Sequence, residues 1–324
     1  MLQVKQIVTL VEQHIQEAGF PAEPSGLYDP ARYILAAGGK RIRPCLTLMS
    51  ANLFTEHPET HLPVALAMEV FHNFTLVHDD IMDNAPVRRG MPTVHEKWNL
   101  HTGILSGDVM MIQAYRLLCS TKNERLPELL DMFNTTAMQV CEGQQSDMDF
   151  EQRNDVHLQE YIEMITNKTS VLLGCCMYCG AMAAGANQKD ADRLYKTGLE
   201  LGVSFQIKDD LLDAYGNEKE FGKKPGGDII QNKKTYLLLE ALEKAQGQDK
   251  TRLMELMQSK PTDEAAKIAE VLDIFEKYHI REAAENTMAF HYNAAIQSLG
   301  EVDVPESAKV EINQLITSVF GRNY

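Results

Sequence analysis

The stretch FHNFTLVHDDIMDNAPVRRG, residues 71–90, places Asp79, Asp80 and Asp83 directly after an apolar run and ends with two adjacent arginines and a glycine. Its apolar residues recur at the three- and four-residue spacing of an α-helix. Residues four apart share a helix face, so Asp79 and Asp83 are expected to lie together. Because like charges at that spacing destabilise a helix, the cluster requires a partner of opposite charge.

A second stretch repeats this pattern. KDDLLD, residues 208–213, carries Asp209, Asp210 and Asp213 at the same spacing, 130 positions after the first motif. One acidic helix face is usually solvated, but two copies embedded between apolar residues indicate a bound cation. Oxygen ligands suit magnesium, which is typically held by one or two carboxylates together with substrate phosphates. The two motifs therefore predict a magnesium-bound diphosphate.

The composition favours a helical protein. The chain has 324 residues, 44% of them hydrophobic, with 20 glycines and 12 prolines. The apolar residues are mostly three or four positions apart, which predicts predominantly helix. No low-complexity segment separates two halves, so we expect one domain over residues 1–324. The predicted breaks between helices are residues 22–30, 54–63, 83–92, 146–155 and 216–228.

The charge limits the kinds of partner. The formal net charge is -15, which argues against a nucleic-acid partner because nucleic-acid binding relies on clustered Lys and Arg. An acidic protein still binds an anion where its basic residues converge, or where a metal ion lies between carboxylate and phosphate. No apolar run approaches the roughly 20 residues of a membrane span. We therefore expect a soluble, cytoplasmic protein.

The cysteines indicate packing rather than chemistry. The chain has six, three of them close together at Cys175, Cys176 and Cys179, and they do not resemble the framework of a small secreted domain. Cys176 and Cys179 have the spacing of half a zinc site, but no second pair accompanies them. We interpret the three as small buried helix residues.

Small groups of basic residues stand beside glycine turns and near the aspartate motifs. Arg offers a forked donor that suits phosphate, and Lys a compact point charge. Such pairs are usually surface pairs, and it is their placement that favours a diphosphate site. The groups are Lys40, Arg41 and Arg43; Arg88 and Arg89; Lys168; Lys223 and Lys224; and Lys233 and Lys234.

Two further polar side chains share a helix face with the aspartates. His72 precedes Asp79 by seven positions, nearly two turns, and is placed to donate to a second phosphate group. Gln206 precedes Asp209 by three positions. The polar side chains of residues 142–147 are as consistent with a buried network as with catalysis.

Eight motifs, in this order and spacing, resemble those of the trans-isoprenyl (polyprenyl) diphosphate synthases. They are GGKRIRP, LVHDDIMD, RRG, GQQSD, KTS, FQIKDDLLD, GKKPGGD and NKKTY, and they extend from about residue 30 to residue 240. The resemblance implies an all-α fold of the isoprenoid synthase type, a single large helical bundle around a deep central cavity, usually in a homodimer. It also implies an enzyme that joins isopentenyl diphosphate head to tail to dimethylallyl, geranyl or farnesyl diphosphate.

The resemblance further implies roles for individual residues. Magnesium, typically three ions, would be held by Asp79, Asp83, Asp209, Asp210 and Asp213. The allylic diphosphate would be bound by Arg88, Lys168, Lys223 and Lys233, and the isopentenyl diphosphate by Lys40, Arg43, His72 and Arg89. Thr169 and Gln206 would lie beside the reacting carbons. The residues implied to act in catalysis are Asp79, Asp80, Asp83, Asp209, Lys168, Thr169 and Gln206.

Product length in this family is a steric question, because the chain grows down the cavity. A bulky side chain one to two helical turns before Asp79 would form the floor of the cavity and stop the growing chain. The fifth residue before Asp79 is Phe74, the fourth is Thr75 and the eighth is Phe71. A single Phe at the fifth place resembles short-chain enzymes that stop at geranylgeranyl diphosphate. Phe71 either narrows the pocket further, which would give farnesyl diphosphate, or packs against a neighbouring helix.

Two other classes of protein share some of these features. A class I terpene cyclase has a metal-bound DDxxD, but it does not need GGKRIRP and usually replaces the second DDxxD by another motif. A catalytically silent partner subunit of an active synthase generally loses aspartates, and both motifs are whole here. We therefore favour an active short-chain synthase.

Overall fold

The structure, a computed structural model, describes residues 2–15, 18–216, 225–258 and 263–320, and most of them are helical. The α-helices are α1 Val4–Ile15, α2 Ser25–Ala36, α3 Ile42–Ala51, α4 Leu62–Met82, α5 Val94–Lys97, α6 Leu100–Cys119, α7 Leu126–Gln152, α8 Leu158–Ile165, α9 Val171–Ala183, α10 Gln188–Tyr215, α11 Gly227–Ile230, α12 Tyr236–Lys244, α13 Gly247–Gln258, α14 Glu264–Lys277, α15 Ile280–Gly300 and α16 Glu306–Phe320. A 3-10 helix covers Pro58–His61 and a π-helical turn covers Thr166–Ser170. The all-α prediction is confirmed.

The strands form one short hairpin. Within the described residues, β1 (Val87–Arg88) pairs antiparallel with β2 (Met91–Pro92), and Arg88 lies opposite Met91. Arg89 and Gly90 form the turn, both with positive φ, at 53° and 75°. The hairpin follows α4 directly, so it brings the two adjacent arginines back beside the end of that helix.

The predicted breaks are partly right. Those at residues 54–63 and 83–92 are confirmed by the 3-10 helix and the hairpin. The break at residues 22–30 is wrong in its second half, because α2 begins at Ser25 and contains Pro30, whose burial outweighs the lost hydrogen bond. The break at residues 146–155 is wrong up to Gln152, where α7 ends, and right for residues 153–155, which are not helical. Most of the last break, residues 217–224, lies outside the described residues.

The chain packs into two compact units. The first comprises Met1–Ala137, Leu172–Gly198 and Ser298–Tyr324, and the second comprises Met138–Val171 and Leu199–Gln297. The expectation of one domain over residues 1–324 stays a prediction.

Helix α4 forms the centre of the first unit. It packs along α6 and also contacts α1, α2 and α3. Two glycines of α6 allow the close approach: a Cβ at Gly107 would lie 2.1 Å from His78 Nε2, and one at Gly103 would lie 2.8 Å from Ile81 Cδ1. These contacts fix the last turns of α4, where the first aspartate motif begins.

The cysteine-rich helix α9 also packs in the first unit. Cys175, Cys176 and Cys179 are fully buried, which confirms the prediction that they are small core residues. Gly180 lies against the backbone of α3, and a Cβ there would lie 2.0 Å from the carbonyl oxygen of Thr47. The contact needs a residue without a side chain.

The second unit has its own hydrophobic core. Helices α8, α12, α13 and α14 pack around the second half of α10, which carries the second aspartate motif. The largest buried side chains of this core include Phe150, Tyr161, Ile207, Leu211, Tyr236, Leu253, Phe275 and Ile280. Side-chain caps define two of its helix starts: Thr235 accepts from the N–H of Leu238, and Asp263 from the N–H of Ala266.

Across the described ranges, we find no helix whose length and apolar character would allow it to cross a membrane.

Replacing Gly180 by alanine tests the close contact between α9 and α3. Because the added methyl group would overlap the Thr47 carbonyl, we expect a loss of about 1–3 kcal/mol in the free energy of unfolding. The measurement is urea unfolding followed by circular dichroism. Gly26→Ala is the matched control, since nothing lies within 4 Å of a Cβ at that helical position; equal stability of the two variants would contradict the close contact.

Candidate active site

The first aspartate motif lies at the C-terminal end of α4, in the first unit. Asp79 and Asp80 belong to its last turn, and the N–H of the capping residue Asp83 donates to the Asp79 carbonyl at 2.8 Å. The last carbonyls of a helix already carry partial negative charge. Aspartates at this position are therefore unfavourable unless a cation compensates them.

Arg88 supplies part of that compensation from the hairpin. Its Nε donates to Asp80 Oδ1 at 2.7 Å, and its Nη2 lies 3.5 Å from Asp79 Oδ2. Asp80 is buried, and burial raises its pKa whereas the charge of Arg88 acts to lower it. Among the described residues, nothing donates to the buried Asp80 Oδ2. The motif therefore keeps an acceptor oxygen that its surroundings leave available.

Residues 38–43, which we call the basic loop, carry three cations with different environments. Lys40 is exposed, whereas Arg41 is buried. Arg43, in the first turn of α3, places Nη1 3.0 Å from His72 Nε2. Because Arg only donates, Nε2 accepts and the proton of His72 is on Nδ1. Burial and the charge of Arg43 lower the pKa of His72 well below its usual range, so its ring is neutral.

Arg89 joins the basic loop from the hairpin turn. Its Nη1 donates to the carbonyl of Gly38. Gly39 has a φ of 135°, and a Cβ there would lie 3.0 Å from Arg89 Cζ, so the guanidinium needs a glycine beneath it. In the described part of the chain, Arg43 Nε is buried without an acceptor. The first unit thus places Arg43 beside His72, and Arg89 against the basic loop.

Lys168 and Thr169 lie in the π-helical turn of the second unit. Gly143 of α7 allows that turn to approach, since a Cβ there would lie 2.2 Å from the backbone nitrogen of Lys168. Gly202 of α10 also allows the π-helical turn to approach, since a Cβ there would lie 2.4 Å from Ser170 Cα. π-helical turns are uncommon and occur frequently at functional sites. The two glycines hold this one in place.

The side chain of Lys168 has a defined partner. Its Nζ donates to Asp147 Oδ2 at 2.6 Å. Asp147 follows Gly143 by one turn of α7, so both face the π-helical turn. Glu142 is exposed and Asp147 is half-buried, so these polar side chains do not form the buried network that the sequence left open.

The second aspartate motif lies near the C-terminal end of α10, again where the helix carbonyls carry partial negative charge. Asp209 and Gln206 are half-buried on this helix. Asp210 is buried and its Oδ2 accepts from the Tyr161 hydroxyl at 2.5 Å and from the N–H of Tyr236 at 2.9 Å. Burial raises the pKa of Asp210 to about 7, although these two hydrogen bonds act to lower it.

Asp213 connects this motif to the following segment. Its Oδ2 accepts from the N–H of Asp228 at 2.9 Å, so the carboxylate holds the start of α11. Lys233 is half-exposed, with Nζ 3.7 Å from Asp228 Oδ1. The second unit therefore brings Asp213, Asp228 and Lys233 into one connected group. Lys223, the fourth residue expected to bind the allylic diphosphate, lies outside the described residues.

The three residues proposed for the floor have different environments within the first unit. Phe71 is 1% exposed, and its ring packs edge-on against Phe133 of α7 with the centroids 5.0 Å apart. Phe74 is half-buried and lies between Phe71 and His78, at 5.5 and 4.9 Å between ring centroids. The Thr75 hydroxyl donates to the His72 carbonyl at 2.7 Å. Phe74 is thus the aromatic ring that remains accessible.

The donor set suits magnesium bound together with a substrate. No three His, Cys, Asp or Glu side chains in the described ranges converge into a metal site of their own. Magnesium does not require this, because one or two carboxylates suffice when phosphate oxygens and water complete its shell. The available Asp80 oxygen and the aspartates at both helix ends fit that pattern.

Several contacts of the site were missed by the sequence reading. Gly143 and Gly202 shape the π-helical turn, Asp147 binds Lys168, and Tyr161 holds Asp210. Gly143 and Asp147 belong to GQQSD, which is one of the eight motifs of the resemblance, but the sequence did not indicate which residues they contact. Tyr161 carries no local signal, because its contact with Asp210 joins residues 49 positions apart.

The comparisons with known proteins identify a family. The family model described as "Polyprenyl synthetase" matches residues 24–275. A geranylgeranyl diphosphate synthase of Methanosarcina mazei is 40% identical over 244 residues, which is 75% of each chain. A geranylfarnesyl diphosphate synthase of Natronomonas pharaonis is 38% identical over 250 residues, 72% of this chain and 73% of the other.

A solved structure extends the likeness to the whole chain. The crystal structure of a geranylgeranyl pyrophosphate synthase superposes with a TM-score of 0.95 at 41% identity, and it covers 100% of both chains. The chain therefore belongs to the polyprenyl synthetase family. The predictions of an isoprenoid synthase fold and of a prenyl-transferring enzyme are confirmed.

Gly143→Ala tests the role of the close contact at the π-helical turn. The added methyl group would displace the backbone of Lys168, and a shift of this size in a positioned group costs about a hundredfold in kcat/KM. The measurement is steady-state turnover, with the melting temperature recorded for each variant. Gly300→Ala is the control, because nothing lies within 4 Å of a Cβ there. Wild-type turnover of a folded Gly143→Ala protein would contradict the assigned role.

Proposed function

We propose that the protein condenses isopentenyl diphosphate head to tail with dimethylallyl, geranyl or farnesyl diphosphate and releases diphosphate, with geranylgeranyl diphosphate as the main product. The observation that carries this proposal is the pair of DDxxD motifs, each at the C-terminal end of a helix and each accompanied by Lys or Arg within its own unit. Relatives named geranylgeranyl diphosphate synthase support the product.

Magnesium is the proposed cofactor, with three ions as the expected number. Asp79 and Asp83 would hold it on the first motif, and Asp209, Asp210 and Asp213 on the second. When bound, it would neutralise the charge that develops on the leaving diphosphate. Asp80 would support the first motif, and its available Oδ2 is consistent with that role.

The allylic diphosphate is assigned to Arg88, Lys168, Lys223 and Lys233. Arg88 and Lys168 are held by carboxylates of their own units, at 2.7 Å from Asp80 and 2.6 Å from Asp147. These ion pairs keep both cations extended and ordered. A diphosphate with more negative charge would take over their N–H groups, since charge-assisted hydrogen bonds to phosphate are strong.

The isopentenyl diphosphate is assigned to Lys40, Arg43, His72 and Arg89. Arg43 has a buried Nε with no acceptor among the described residues, and the neutral His72 ring carries its proton on Nδ1. Together these groups offer donors to an anion without a carboxylate neutralising each one. Lys40, which is exposed, would add a charge at the edge of the group.

The reaction follows from these charges. Donors around the leaving diphosphate stabilise the charge that develops as the allylic C–O bond breaks, and a carbocation forms. The alkene of isopentenyl diphosphate then attacks this carbocation, and the proton lost afterwards passes to the released diphosphate. Thr169 and Gln206 would lie beside the reacting carbons and stabilise positive charge with their oxygen atoms. No Ser, Cys or His nucleophile is required.

The product length is assigned to Phe74. Phe71 is 1% exposed and packs against Phe133, so the structure favours a packing role for it over a narrower pocket. This removes the reason to expect farnesyl diphosphate. Phe74 is half-buried and Thr75 is bonded to its own helix, which leaves Phe74 as the bulky side chain available to limit growth.

A homodimer is the proposed assembly. Helix α6 exposes Ile104, Leu105 and Ile112, of which the last two are each 58% exposed. Leu105 and Ile112 are seven positions apart and so lie on one face of the helix, and exposed apolar side chains on one face are typical of a protein interface. The cytoplasmic location expected from composition also stays a prediction.

Asp79→Asn and Asp209→Asn test the reaction. Each removes one carboxylate charge while preserving the shape of the side chain, and we expect turnover to fall about a hundredfold or more. The measurement is incorporation of labelled isopentenyl diphosphate with each of the three primers in the presence of magnesium. Asp131→Asn, at an exposed position of α7, is the control. Undiminished turnover in folded variants would overturn the metal-binding role.

Phe74→Ala tests the floor. Removing the ring opens space below the growing chain, so the main product should lengthen from twenty carbons to twenty-five or more. Chromatographic sizing of the extracted products is the measurement. Phe290→Ala, which truncates a ring that is 69% exposed, should leave the product unchanged. A twenty-carbon product from Phe74→Ala would place the floor elsewhere.

A further inference from the structure

Arg41 is a buried cation at the base of the basic loop. Its side chain is 1% exposed and donates in three directions: Nε to Glu12 Oε1 at 2.7 Å, Nη1 to Glu69 Oε1 at 2.7 Å, and Nη2 to the Leu35 carbonyl at 2.6 Å. Burial alone would lower its pKa, but the hydrogen bond that Arg41 donates to Glu12 and the charge of Glu69 raise it. The guanidinium is therefore always charged, and it connects α1, α2 and α4.

The backbone of the basic loop is strained in a way that these bonds explain. Gly38, Gly39 and Arg41 have φ angles of 75°, 135° and 47°. The left-handed conformation is easy for glycine, whereas it costs about 1–2 kcal/mol for a residue such as Arg. In this conformation the guanidinium of Arg41 reaches all three of its acceptors, and their hydrogen bonds offset the cost. The loop conformation and the buried hydrogen bonds depend on each other.

Glu69 serves more than one cation. Its Oε1 accepts from Arg41 and also from Asn73 Nδ2, at 3.1 Å. Burial lowers the pKa of Arg43 and of Arg89, and the negative charge of Glu69 acts in the opposite direction on both. The carboxylate is 2% exposed, so its field reaches its neighbours with little screening by water.

We propose that Arg41 and Glu69 are positioning residues for isopentenyl diphosphate, which they do not touch. Arg41 locks the basic loop so that Lys40 and Arg43 are presented together, and Glu69 offsets the repulsion among Arg41, Arg43 and Arg89. This inference rests on the assignment of the basic loop to isopentenyl diphosphate. It adds that the buried ion pair between Arg41 and Glu69 sets the affinity of the site for isopentenyl diphosphate.

The arrangement requires an arginine. Lysine has one nitrogen on a flexible chain, so it retains the charge but cannot reach Glu12, Glu69 and the Leu35 carbonyl at the same time. Arg41→Lys should therefore loosen the loop without leaving Glu69 as an unpaired buried charge. Glu12 is the outer partner of the same guanidinium, and its side chain is 40% exposed. Glu12→Gln removes the charge of this partner and keeps the buried ion pair between Arg41 and Glu69.

The test is steady-state kinetics on Arg41→Lys, with isopentenyl diphosphate and farnesyl diphosphate varied in turn. We expect the KM for isopentenyl diphosphate to rise about tenfold or more, because several charge-assisted hydrogen bonds are misplaced. The KM for farnesyl diphosphate and kcat should stay within about threefold of the wild type. Arg32→Lys is the matched control, since it makes the same change at an exposed ion pair with Asp29 in α2, and it should alter neither KM.

Two results would overturn the proposal: an unchanged KM for isopentenyl diphosphate, or an equal rise in both KM values, which would indicate general distortion. Glu12→Gln tests the proposal if Arg41→Lys does not fold. It should raise the KM for isopentenyl diphosphate two- to fivefold. No change in that KM would count against the proposal.

Calorimetric titration of the purified proteins with inorganic diphosphate separates this inference from the proposed function. If the wild type elongates no primer, the proposed function fails. A weaker binding of diphosphate by Arg41→Lys than by Arg32→Lys would still support the positioning role, and equal binding would refute it.

Discussion

Negative charge gathered at the C-terminal ends of α4 and α10 is the constraint on which each aspartate motif depends. Each helix places aspartates where its own carbonyls already carry partial negative charge, an arrangement that lowers the stability of an isolated helix. The surrounding structure responds with specific contacts. Arg88 returns along the hairpin to Asp79 and Asp80 in the first unit. In the second unit, Tyr161 and the N–H of Tyr236 bind Asp210.

Glycines make these contacts possible at several points. Gly107 allows α6 to approach α4 beside the first motif, and Gly143 and Gly202 hold the π-helical turn that presents Lys168. Each position would place a Cβ within 2.5 Å of another group, closer than packed atoms approach. These glycines are needed for space rather than for unusual φ angles, since none of the three has a positive φ. The catalytic side chains thus depend on residues that have no side chain.

The sequence predicted the helical class, both DDxxD motifs and the break at residues 83–92 because these depend on local spacing. It assigned Lys40 and Arg43 to the substrate, and the structure shows why Arg41 differs: it is buried on Glu69 and Glu12. Local pattern could not reveal this, because Arg41 and Glu69 are 28 positions apart. The end of α7 was misplaced for a related reason, since a polar stretch resembles a loop unless its packing partner is known.

The ion pair between Arg88 and the first motif has a consequence for the order of events. While Arg88 is bonded to Asp79 and Asp80, those carboxylates are already partly neutralised, and a cation arriving alone would compete with it. A diphosphate that draws Arg88 away would restore the negative charge of the aspartates and raise their affinity for the cation. If both ligands bind as proposed, their binding would therefore be linked, each favouring the other. Under the proposed function, the enzyme without substrate would therefore bind free metal ions less well, and its aspartates would carry their full charge only once the diphosphate is present.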